Sequence, residues 1–104
     1  KTKSKNIKRL IEFGNVKINL NKHIILKNSK EFKINNTEKT ILEVMINSPG
    51  KSFSREEIGK IINLDKERSV DVIITRLRKK IEQNPKNPKY LQTLRGEGYV
   101  LWIE

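Results

Sequence analysis

The apolar positions of this chain change period as the sequence proceeds. From Arg9 to Ile34, short β-friendly runs alternate with turn residues. Leu10–Phe13 is closed by Gly14-Asn15, and Val16–Leu20 alternates apolar and polar residues before Asn21-Lys22. Ile24–Leu26 is followed by Asn28-Ser29-Lys30 and then by Phe32–Ile34. A period of two broken by Gly, Asn and Ser predicts a small antiparallel sheet.

Beyond Ile34 the period becomes helical. Asn35 and Glu38 have the spacing of a capping box, Ile41, Leu42 and Met45 follow on one face, and Ser48-Pro49-Gly50 ends the helix. A second start is stronger: Ser54 and Glu57 form a capping box, and Phe53 and Ile58 stand at the two staple positions. Ile58, Ile61 and Ile62 supply its buried face. After a short connection, Asn63 to Glu67, a third helix is predicted from Ser69 to about Gln83. Asp71 lies in its first turn, where the helix dipole favours an acid, and Asn84-Pro85-Lys86-Asn87-Pro88 stops it. Tyr90–Leu94 and Tyr99–Ile103 then flank Arg95-Gly96-Glu97-Gly98, which predicts a hairpin with Arg95 at or near its tip.

The third helix has two different faces. Val70, Ile74, Leu77 and Ile81 make one narrow apolar stripe, enough to dock it on a core. The opposite side carries Ser69, Val72, Ile73, Arg76, Lys79 and Lys80. Small branched apolar groups mixed with cations suit the DNA major groove. Lys and Arg neutralise phosphates, Arg forks onto guanine, and apolar groups touch thymine methyls. A solvated basic face explains this helix alone about equally well.

Composition sharpens the choice. At 104 residues the chain is one small domain, read as a linker or arm over 1–8 and a folded unit over 9–104. Its formal net charge of +11 points to a polyanionic partner: DNA, RNA or an anionic membrane surface. There is no cysteine and His23 is the single histidine, which leaves no thiol chemistry and no multi-histidine metal site. We therefore expect no metal and no cofactor. The apolar runs are too short to span a bilayer, and no secretory signal is visible, so a cytoplasmic protein without membrane attachment is expected. The chain begins at Lys1 rather than Met, and is expected to be a fragment of something longer. Nor is an enzyme expected. Gly96-Glu97-Gly98 lacks the third glycine and following helix of a dinucleotide fingerprint. Glu56 and Glu57, adjacent on a helix, diverge by about 100° and do not face each other.

What remains is an order of elements: sheet, helix, helix, basic helix, and a hairpin with an arginine near its turn. This is the α+β order of a winged helix-turn-helix. The last helix would enter the major groove, and the hairpin arginine would reach the adjacent minor groove. The rival readings are a winged helix that mainly binds protein, and an RNA-binding domain.

The residues also resemble a known family. Arg68-Ser69-Val70-Asp71-Val72, Arg76-Leu77-Arg78-Lys79-Lys80 and Gln92-Thr93-Leu94-Arg95-Gly96-Glu97-Gly98-Tyr99 look like the signature of the OmpR/PhoB-type response regulators. Ser48-Pro49-Gly50 and Ser54-Arg55-Glu56-Glu57-Ile58 match another segment of that family. Asn84 to Thr93 is especially like the OmpR branch, and the resemblance covers Leu10 to Ile103. It implies an N-terminal four-stranded antiparallel sheet, three helices and a C-terminal β-hairpin wing. It also implies a DNA-binding effector domain behind a phosphorylatable receiver domain, served by a sensor histidine kinase. Such a domain would be a monomer that dimerises on tandem half-sites of duplex DNA.

By the match, Arg68, Val72, Ile73, Thr75, Arg76 and Arg78 fall at recognition-helix positions used on DNA. Thr93 falls at a backbone contact and Arg95 at a minor-groove arginine. The helix wheel makes Val72, Ile73 and Arg76 base-facing, Thr75 and Arg78 flanking phosphate contacts, and Lys79 and Lys80 phosphate contacts on the other flank. Two departures stand out. Lys39 replaces the family's phenylalanine after the capping glutamate, which predicts altered packing there. The connection Asn63 to Glu67 is short and lacks the frequent Trp-Gly, which bears on any contact with RNA polymerase.

Overall fold

In the computed structural model, described here for residues 10–63 and 67–103 with the side chains of 67 and 68 set aside, seven strands and three helices surround one core. The arm expected over 1–8 lies outside the described residues. Strands β1 (Leu10–Phe13), β2 (Val16–Asn19), β3 (Ile24–Lys27) and β4 (Lys30–Lys33) form an antiparallel sheet in chain order. The β3–β4 turn uses Asn28 and Ser29, both at positive φ (53° and 68°), which matches the right-handed twist of the flanking strands. Ile11, Phe13, Val16, Ile18, Ile25 and Phe32 share the inner face, as the register requires.

Both predicted capping boxes are present. In α1 (Asn36–Ile46), Asn35 Oδ1 accepts from Glu38 N at 2.8 Å while Asn35 N donates to Glu38 Oε1 at 3.0 Å. In α2 (Arg55–Ile61), Ser54 Oγ accepts from Glu57 N at 3.0 Å and Ser54 N donates to Glu57 Oε1 at 2.8 Å. Such a cap stabilises a helix by about 1 kcal/mol, which counts for a helix as short as α2. α1 packs through Ile41, Leu42, Met45 and Ile46, with Lys39 only half-buried.

α3 (Glu67–Ile81) begins and ends two residues before the predicted bounds. Its predicted stripe is the part of the core that matters most for function. Val70, Ile74, Leu77 and Ile81 are all fully buried, and burying each stabilises by about 1.5–3 kcal/mol. The inner face therefore anchors the helix. The C-terminal end of α3 is fastened by Lys27, which projects from the inner face of β3. Its Nζ donates to the carbonyls of Lys79 and Glu82, each at 2.8 Å, and a cation is favoured at that end of the helix dipole.

The hairpin β6 (Leu91–Leu94) and β7 (Gly98–Leu101) is joined by a strand absent from the sequence reading, β5 (Ser52–Phe53). The order is β5-β7-β6, so β6 is an edge. β5 ties the hairpin to the segment that starts α2. Gly98, at φ +117°, lies so close that a Cβ there would stand 2.1 Å from the Phe53 carbonyl oxygen. The hairpin glycine thus serves a close approach as well as a turn.

Candidate nucleic-acid interface

α2 and α3 pack on each other, and the hairpin stands against α3 through Arg78–Leu91 and Tyr99–Asp71. The outer face of α3 presents Val72, Thr75, Arg76 and Lys79, all exposed. These residues are spaced i, i+3, i+4 and i+7, so they share one side of the helix. Val72 is 45% exposed, so a branched apolar side chain stands on this face beside the cations. Thr75 Oγ1 donates to the Asp71 carbonyl at 2.9 Å, which leaves its oxygen as an acceptor outward. Among the described residues, neither the Arg76 nor the Lys79 side chain is held by an intramolecular partner. Ile73 divides its surface between solvent and the core cluster, so it rims this face rather than crowning it. The role expected of Arg68 lies outside the described residues, since its side chain is not described.

Two of the expected cations point elsewhere. Lys80 does not fit the expectation of a phosphate contact. Its Nζ donates to Glu38 Oε1 at 3.0 Å, Glu38 Oε2 at 3.1 Å and the Lys33 carbonyl at 2.8 Å. The pair is mostly out of water, with 22% and 3% of the two side chains exposed. Arg78 is committed within the fold as well. Its Nε donates to the Leu91 carbonyl at 2.8 Å, its Nη2 donates to Thr93 Oγ1, and its guanidinium lies over the Tyr99 ring at 5.7 Å. Periodicity identified the flank of each cation but not the partner waiting there.

At the hairpin tip Arg95 is exposed beside Gly96, whose surroundings are open. Thr93 is exposed one pleat below. Ser52 Oγ donates to Glu97 Oε1 at 3.3 Å, a contact that ties the tip to β5. A depression between the tip and the start of α2 is lined by Ser54, Arg55, Thr93, Arg95 and Tyr99.

Three residues that the sequence reading did not assign to the site meet behind this surface. Arg55 Nε lies 3.0 Å from Asp71 Oδ1, and Tyr99 Oη donates to the same carboxylate. One acid near the N-terminal end of α3 thus joins α2, α3 and the hairpin. Burial raises the Tyr99 pKa above its ordinary 10.0, and the hydrogen bond to Asp71 raises it further. Spacing could not reveal this meeting, because its members lie on separate elements.

A short helix pair whose second member offers a basic outer face, flanked by a hairpin with an arginine at its tip, defines a winged helix-turn-helix. Residues 29–101 match the family described as "Transcriptional regulatory protein, C terminal", and the chain belongs to that family. Among curated relatives, the probable transcriptional regulator ycf27 of Cyanophora paradoxa is 38% identical over 97 residues, covering 86% of this chain. The chain spans 40% of that relative's length. The solved response regulator DrrB of Thermotoga maritima, an OmpR/PhoB homologue, superposes with a TM-score of 0.80 at 31% identity. The match covers 91% of this chain and 45% of DrrB. The Klebsiella pneumoniae RstA DNA-binding domain, solved in complex with the RstA box, superposes at 0.74 with 26% identity, over 91% of this chain and 98% of that one. The fold is that of the OmpR/PhoB effector domains. No described helix is long and apolar enough to cross a membrane.

Proposed function

We propose that this domain binds duplex DNA sequence-specifically, as the effector of a two-component response regulator. α3 lies in the major groove with Val72 and Arg76 toward base edges and with Thr75 and Lys79 toward the backbone. Ile73 adds an apolar edge, and Arg68 precedes them at the helix start. Thr93 meets the backbone and Arg95 the adjacent minor groove. The observation that carries this reading is the α3 outer face itself. Arg76 and Lys79 stand in solvent with no internal partner among the described residues, next to an exposed Val72, on a helix already anchored by its other face. In the whole protein, a receiver domain served by a sensor histidine kinase precedes this domain, which acts in the cytoplasm, catalyses nothing itself and pairs on tandem half-sites. RNA polymerase is a further partner in that setting. The RstA domain, solved with the DNA box named for it, supports this assignment by likeness.

Selecting duplexes from a random-sequence library with the purified domain tests the reading. The selected set should converge on a motif repeated about one helical turn apart. No enrichment would overturn the reading. So would equal competition by double-stranded RNA of the same length, whose narrow major groove excludes a helix.

A further inference from the structure

Arg78 and Glu82 stand one turn apart on the same flank of α3 and its C-terminal extension, and both grip a single residue of the hairpin. Glu82 is 1% exposed, a buried carboxylate in a chain with few buried charges. Its Oε2 accepts from Leu91 N at 2.7 Å and from Tyr90 N at 2.8 Å, and its Oε1 accepts from Lys89 N at 2.7 Å. Arg78 Nε donates to the Leu91 carbonyl at 2.8 Å. Leu91 therefore has both backbone polar groups satisfied by side chains of one helix flank. Its position in the sheet explains why this is open to it. β6 is an edge strand, Tyr90 O accepts from Trp102 N on the β7 side, and alternation turns the N–H and C=O of Leu91 outward. The two side chains occupy the place a further strand would take, and Arg78 continues along the edge to Thr93 Oγ1.

We propose that Arg78 and Glu82 are positioning residues that fix the offset between the helix and the hairpin tip, and so the spacing at which the two grooves are read. The proposal rests on the DNA-binding reading above. Reading two grooves in one register requires Arg76 and Arg95 to keep a constant separation, yet they lie on different elements joined by the 82–90 connection. The hairpin is tied to α3 through Tyr99 and Asp71 and to the start of α2 through β5. The charge-assisted bonds at both groups of Leu91 hold the outer edge of β6 as well, and fix the angle that those ties leave adjustable.

The test uses the duplex selected by the domain and a series in which its A·T tract is moved by one or two base pairs relative to the major-groove motif. Wild type should lose about tenfold or more per displaced step, comparable to one mismatched pair. Arg78→Lys keeps the charge but cannot fork to both Leu91 and Thr93. It should bind the best duplex more weakly and show a profile flat to within about twofold, as should Glu82→Gln. An unchanged offset profile, or an equal loss on every duplex, would overturn the proposal. A second measurement needs no DNA. The chain has no cysteine, so spin labels at Lys60→Cys on α2 and Glu97→Cys at the tip report their separation directly. The distribution should be narrow in the parent and broad in Arg78→Lys; equal widths would overturn the clamp even if the DNA-binding reading stood. Failure of the parent to discriminate any duplex would count against that reading alone, and the label distances would then decide the clamp.

Discussion

Lys80 reaches from α3 to Glu38, a carboxylate that α1 buries to 2% exposure, and the two meet at 3.0 Å. The adjacent Lys79 is exposed and without such a partner among the described residues. Two neighbouring lysines of one basic run therefore have separate tasks, and substitution should separate them.

Lys80→Ala leaves Glu38 buried with one of its partners removed. Breaking a fully buried pair costs about 3–5 kcal/mol. Lys80 keeps part of its side chain in water, so a loss of about 2–3 kcal/mol is expected in urea denaturation. Lys79→Ala should leave stability within about 0.5 kcal/mol. It should instead make the log-affinity against log-salt slope shallower by about one unit. A Lys79→Ala variant with an unchanged slope would remove that residue from the phosphate contacts.

Tyr99 gives a pH prediction. Its pKa is raised by burial and then by the Asp71 hydrogen bond. A folded-state pKa above the unfolded value means that the stabilisation is whole below about pH 10 and is lost as pH rises through the folded pKa. Ultraviolet titration of the folded domain should show one phenol ionising later than free tyrosine, with stability falling in that alkaline range. Tyr99→Phe should remove both the late phenol and that alkaline loss. Persistence of the loss in Tyr99→Phe would place its origin elsewhere.

The capping boxes, the α3 stripe and the hairpin were legible because each is a local pattern. A cap is written within four residues, and the α3 stripe, Val70 to Ile81, within twelve. β5 was not legible, since two residues carry no period and Phe53 already served as a helix staple. The roles of Arg78, Lys80 and Glu82 were hidden for a different reason. A helix wheel ranks faces by angle, whereas Glu38 and Leu91 reach these side chains only through the packing of α1 and β6. Among the described candidate cations, Arg76, Lys79 and Arg95 are exposed and have no partner within the fold. That subtraction needs the structure.

Arg95 should read groove shape. It sits at an open tip beside Gly96, and a narrow A·T-rich minor groove concentrates negative potential. Arg95→Ala should lose most affinity for duplexes with an A·T tract under the tip and less for G·C pairs there, with the fold intact. Equal losses on two duplexes that differ only in that tract would make Arg95 a general backbone contact.

The central claim is that the outer face of α3 reads bases, and Arg76 is its most direct test. Affinity of wild type and Arg76→Ala should be measured at one salt concentration, on the selected duplex and on a scrambled duplex of equal length. A lost bidentate base contact costs about 1–3 kcal/mol of discrimination. The selected duplex should therefore lose roughly tenfold more than the scrambled one. An equal loss on both would show that Arg76 meets phosphate only, and would contradict base reading by this face.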